Sequence, residues 1–190
     1  MMIRRILSIS FLIAWQFAFG QGADPKVDSL LNVLNNAKDI EKVDILIELS
    51  DIKIYEDEGL AYAMQACDLA NRLKDSKAQA DALNALGKVY YAQYQEEKAL
   101  DCFIKSLSLS EKVQDLNLMG KNLSSIGQAY YAIDSLDKFK LYTNKALELA
   151  RETKDRLLEI CSEYIPLTLI GTRQVTFIKY LGEDLGYDWK

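Results

Sequence analysis

Residues 78–117 read AQADALNALGKVYYAQYQEEKALDCFIKSLSLSEKVQDLN, and residues 118–157 read LMGKNLSSIGQAYYAIDSLDKFKLYTNKALELARETKDRL. Laid over one another in this 40-residue frame, the two stretches agree at ten positions: Leu83/Leu123, Gly87/Gly127, Tyr90/Tyr130, Tyr91/Tyr131, Ala92/Ala132, Lys98/Lys138, Lys105/Lys145, Leu107/Leu147, Leu109/Leu149 and Asp115/Asp155. Within one frame the apolar residues fall at helical spacing in two runs, 82–93 and 97–113, with Tyr94-Gln95-Glu96 as a short polar break. Each unit is therefore expected to be a helix, a tight turn and a second helix. An isolated helix pair cannot bury its apolar face, so such units have to stack.

The first stretch carries Leu83-x-x-Leu86-Gly87-x-x-Tyr90 followed by Ala99-x-x-x-Phe103-x-x-Ser106. The second carries Leu123-x-x-Ile126-Gly127-x-x-Tyr130 followed by Phe139-x-x-x-Thr143-x-x-Ala146. This pattern resembles the tetratricopeptide repeat (TPR) family. The second unit departs from it at Phe139 and Thr143, where the family prefers a small and then a large residue; the exchange roughly conserves volume, the kind of change a core tolerates best. The resemblance implies that Gly87 and Gly127 let paired helices approach, that Ser106 and Ala146 leave room for the next unit, and that Leu83, Leu86, Tyr90 and Phe103 fill the space between. The 40-residue period is longer than the usual ~34 of the family. The family's helix-ending proline is also missing, with Glu111 and Arg151 near its place, so the second helix is free to run on. HEAT and armadillo repeats share the longer period but lack the Leu-Gly-x-x-Tyr core.

Outward from this pair the register weakens. Residues 41–77 form a degenerate first unit marked by Leu46-x-x-Leu49-Ser50, Gly59, Ala66, Leu69 and Asp75. Residues 21–40 hold a leading helix, with Leu31, Val33 and Asp39 matching Leu107, Leu109 and Asp115. Residues 157–164 start a fourth unit, but Pro166 and Gly171 interrupt it, and 165–190 is expected to be irregular. The expected fold is thus all-α: an α-solenoid of about three TPR-like helix-turn-helix units (41–77, 78–117, 118–157) behind a leading helix.

The chain contains no histidine. The commonest general base, the partner of Ser and Cys nucleophiles and the commonest metal ligand are all missing. No phosphate-cradling glycine loop, metal-ligand spacing or nucleophile elbow occurs either, so no catalytic residue, metal or cofactor is expected. Cys67, Cys102 and Cys161 are odd in number and without a CxxC. They read as small core residues, with one bridged pair left open. Glu56-Asp57-Glu58 reads as acidic charge at a helix N-terminus rather than as a cation site.

The first twenty residues have the order of a secretory signal: Arg4-Arg5, an apolar run from Ile6 to Phe19, then Ala18-Phe19-Gly20 before Gln21. The run is shorter than the ~20 residues of a membrane span. Cleavage there leaves 21 basic and 28 acidic residues, a balance of −7. An exported protein, periplasmic or secreted, is expected, without stable membrane insertion after cleavage. Neither nucleic acid nor an anionic bilayer suits that charge.

In the TPR family one face of the first helix of each unit lines a concave groove. The resemblance places Asp81, Asn84, Lys88 and Tyr91 on that face in one unit, and Lys121, Ser124, Gln128 and Tyr131 in the next. Tyrosines among long polar side chains suit a protein- or peptide-binding surface. Lys121 fits one place of the carboxylate clamp found in some TPR grooves, but Ala85 and Ser125 stand where Asn and Arg are needed, so no clamp is expected. The expected function is an exported, non-catalytic protein-interaction module, with homo-oligomerisation left open. The alternative rests on a second likeness. A signal peptide, the leading Val27-Asp28-Ser29-Leu30-Leu31 and 40-residue repeats resemble the sensory regions of bacterial histidine kinases and transcriptional regulators. On that reading the chain is such a region without its output domain.

Overall fold

A computed structural model describes residues 24–153. The expected signal peptide, the start of a fourth unit, the C-terminal segment and Cys161 lie outside them. The described residues form seven α-helices: α1 (Pro25–Leu34), α2 (Asp39–Ile52), α3 (Asp57–Leu73), α4 (Ser76–Ala92), α5 (Glu96–Val113), α6 (Leu116–Ala132) and α7 (Leu136–Thr153). None of them is long and apolar enough to cross a membrane.

Helix α1 belongs to a separate compact unit that ends at Ala37. It starts where Asp24 accepts a hydrogen bond from the Lys26 amide at 2.9 Å, with Pro25 in the first turn, where a missing N–H is harmless. It is shorter than the 21–40 segment expected to hold it.

From Lys38 onward the helices pack in sequential antiparallel pairs, α2 with α3, α4 with α5 and α6 with α7. The repeat is visible in the backbone. Among the described residues the four non-glycine residues with positive φ are Lys74, Tyr94, Gln114 and Asp134, at 57–60°. They recur every twenty residues, one at each helix end from α3 to α6. Around Tyr94 and Asp134 the hydrogen bonds are equivalent: Gln95 N–H donates to Tyr90 C=O and Ser135 N–H to Tyr130 C=O, both at 2.9 Å. This is the left-handed helix stop that usually recruits glycine. Asp75 and Asp115 then start the next helices, accepting from Lys77 and Ala78 amides and from the Leu118 amide. Helix α4 begins at Ser76, six residues before its apolar run, because the Asp75 cap rather than the apolar pattern sets its start.

Tyr94 is 86% exposed, so its ring contributes little packing to offset the left-handed backbone. Tyr94→Gly is expected to stabilise the protein by about 1 kcal/mol. Chemical denaturation checks this, and a lowered midpoint would contradict it.

The core lies between the helices of each pair and between neighbouring pairs. Phe103, Phe139, Leu49, Ile126, Val43 and Val89 are its largest fully buried side chains. Leu123 is buried as well, whereas Leu83 and Leu86 are only half-buried. A side chain at Gly87 would meet the Phe103 ring, and one at Gly127 would meet Thr143 Oγ1. Both glycines mark the close approach of paired helices, and the Phe139/Thr143 exchange keeps the contact filled. Successive pairs join asymmetrically. The first helices touch one another, α2 with α4 and α4 with α6, but no Cα of α3 comes within 8 Å of α5, nor of α5 within 8 Å of α7.

Candidate functional site

The eight residues expected on the groove face sit on α4 and α6, the two first helices in contact. They divide into three sets.

Asn84 and Ser124 are buried, at 9% and 7% exposure, so neither presents a surface to a partner in this conformation. Asn84 Nδ2 donates to Asn122 Oδ1 at 2.8 Å, Asn122 Nδ2 donates to Ser106 Oγ at 2.8 Å, and Ser106 Oγ donates to the Ala80 carbonyl at 2.6 Å. The chain of bonds stitches α4, α6 and α5 together in the interior. No buried side-chain polar atom among the described residues lacks a partner. Helical spacing put Asn84 on an open face because it cannot show that α6 packs over that stripe. Asn122 was overlooked; the available signal was a polar residue in register with the buried Ala82 of the preceding unit.

Asp81 and Lys88 take part in ion pairs. Lys88 Nζ lies 2.6 Å from Asp51 Oδ1 across the α2–α4 joint, with the side chains 40% and 41% exposed. Asp51, unremarkable in the sequence, is thus part of the face. Lys77 reaches Asp81 at 3.3 Å and Asp115 at 2.7 Å, tying α4 to the start of α6. The Lys77 hydrogen bond, followed by that of the Leu118 amide, holds the Asp115 carboxyl below its ordinary value of 3.8. Burial, with Asp81 as the next cause, pushes Asp44 on α2 upward.

Tyr91, Lys121, Gln128 and Tyr131 keep accessible surface. Lys121 is exposed and the other three are half-buried. The tyrosines are not free-standing. Tyr91 packs on the cluster of Ala99, Leu100, Phe103, Ile126 and Ala129. Burial, then Glu96, pushes its hydroxyl above the usual tyrosine range. Tyr131 tilts against Phe139, ring centroids 5.3 Å apart. Removing either ring therefore disturbs packing as well as surface.

Cys67 on α3 and Cys102 on α5 are free thiols. Their Cα atoms lie more than 8 Å apart, beyond disulfide reach. Burial pushes the thiols up to about 12 and about 11, so neither is an activated nucleophile. Among the described residues no three His, Cys, Asp or Glu side chains gather to hold a metal ion. Set against known proteins, the chain matches no family model, and no curated protein matches it significantly.

Proposed function

We propose that the protein is an exported, non-catalytic interaction module of the TPR type, an α-solenoid that binds a protein or peptide along the face formed by α2, α4 and α6. The observation that carries this reading is the asymmetric joint. First helices touch, and no Cα of one second helix comes within 8 Å of the next, which sets α2, α4 and α6 side by side along the side we read as the inner one. The accessible part of that side carries Tyr91, Tyr131, Gln128 and Lys121 beside the Asp51–Lys88 pair. Aromatic rings with polar tips next to adaptable polar groups are the composition of binding surfaces. The equivalent helix stops every twenty residues support the repeat reading, and the residue order of the N-terminus supports export.

A photo-crosslinking amino acid at Gln128, on the inner side, should trap a partner polypeptide in the envelope of the host. The same group at Lys112, at the exposed end of α5, should not. Equal trapping at both positions, or at Lys112 alone, would sink the assignment. Adding Tyr131→Ala should weaken the Gln128 adduct and lower stability together, because the ring both packs and faces the groove.

A further inference from the structure

On the second-helix side of the stack no Cα of α7 comes within 8 Å of α5, and side chains rather than backbone fill the surface there. Leu107 of α5, Tyr130 of α6 and Tyr142 of α7 are half-buried there against the same core cluster. The rings of Tyr130 and Tyr142 stack with centroids 5.5 Å apart at 23°. Lys138 Nζ stands 4.9 Å from the centroid of Tyr130, and Lys145 Nζ 5.4 Å from that of Tyr142. Among the described residues no carboxylate pairs with either ammonium. Leu141, between the two lysines on α7, is 50% exposed.

The preceding unit serves as an internal control. It keeps the frame of this surface: Tyr90 for Tyr130, Lys98 for Lys138 and Lys105 for Lys145, with Lys98 again over its tyrosine at 5.4 Å. Two positions differ. Asp101 stands in place of Leu141 and neutralises Lys105 at 2.6 Å, and Cys102 stands in place of Tyr142. The earlier surface is thus neutralised from within and has a buried cysteine in place of the second ring. The later one has exchanged the internal acid for an exposed leucine and gained a second ring.

From this exchange we infer that the surface formed by Lys138, Leu141 and Lys145 of α7 with the stacked Tyr130 and Tyr142 docks an acidic segment of a partner polypeptide. The segment's carboxylates take the place of the missing Asp101 equivalent, and its apolar or aromatic side chain lies on Leu141 and the stacked tyrosines. Each ammonium held over a ring keeps protons to donate outward, and the partly desolvated rings strengthen its pairing with a carboxylate. This surface is separate from the inner face, and neither assignment depends on the other.

The test is fluorescence anisotropy of the full chain with a short fluorescein-labelled peptide of glutamates around one leucine and one tryptophan, beside its glutamine isostere. The acidic peptide should bind, more weakly as salt is raised, and the isostere should not. Lys138→Gln with Lys145→Gln should weaken binding at least about tenfold. So should Leu141→Asp, which rebuilds the internal ion pair of the earlier unit. Lys98→Gln with Lys105→Gln should leave binding unchanged. The four lysines are exposed, so their variants keep the fold. No binding by the native chain would overturn the inference, as would an equal loss in the Lys98/Lys105 variant. A loss confined to Lys88→Gln with Lys121→Gln, both on the inner face, would move the peptide there and overturn it too. Tighter binding after deletion of residues 183–190, which include Glu183 and Asp184, would make the chain's own end the occupant instead of a partner.

Discussion

Gly87→Leu is expected to lower the free energy of unfolding by about 3 kcal/mol. A β-carbon on Gly87 falls 2.6 Å from Phe103 Cε1 and 2.7 Å from Cδ1. Phe103 is only 2% exposed, so its ring has no path to solvent and has to push α5 away from α4. The rest of the leucine side chain enters the same closed contact. Glycine's poor helix propensity works in the opposite direction, by up to about 1 kcal/mol, and does not offset the overlap. Gly127→Ala should be milder than Gly87→Ala. At Gly127 the only close atom is Thr143 Oγ1 at 2.9 Å, with the next neighbours at 3.6 and 3.7 Å. Denaturant titration of the three variants checks the ranking. An unchanged midpoint for Gly87→Leu would mean the pair is not closed at this point.

The second large effect lies between pairs rather than within one. Asn122→Ala should cost about 2–3 kcal/mol, because it strips the acceptor from the buried Asn84 amide and leaves that donor unpaired. Asn122 is fully buried, so the space it vacates lies in the interior, away from bulk solvent. Ser106 still donates to the Ala80 carbonyl and loses only the bond it accepts. Asn84→Ala made on top of Asn122→Ala should then cost less than it does alone, with a coupling of about 1 kcal/mol or more. Strictly additive melts would show that the two amides do not depend on one another.

The strongest repeat signals in the sequence were those of close packing. Gly87, Gly127, Phe103 and the Leu/Ile-x-x-Tyr steps describe contacts inside one helix pair, where a 3.6-residue period and side-chain size suffice. The helix pairs are therefore found where the apolar runs place them, within a residue or two at the turns. The start of α4 was less legible, since a capping aspartate and not an apolar residue defines it. The candidate face was legible in part. Tyr91, Lys121, Gln128 and Tyr131 keep some accessible surface, whereas Asn84 and Ser124 are enclosed. One helix's period says which residues share a stripe, but not which second helix lies over it. The Asp51–Lys88 and Lys77–Asp115 pairs were hidden for the same reason, each joining residues nearly forty positions apart.

The joint that binds first helix to first helix, and leaves second helices apart, makes the stack behave like a bound book. Its spine is α2, α4 and α6, sewn by Asn84–Asn122 and riveted by Asp51–Lys88; its leaves are α3, α5 and α7. Among the described residues no hydrogen bond or ion pair joins one leaf to the next, so fanning the leaves breaks none, whereas stretching the spine breaks both kinds of stitch. Whatever wedges between two leaves therefore alters the bend of the spine, and whatever grips the spine sets how far the leaves stand open.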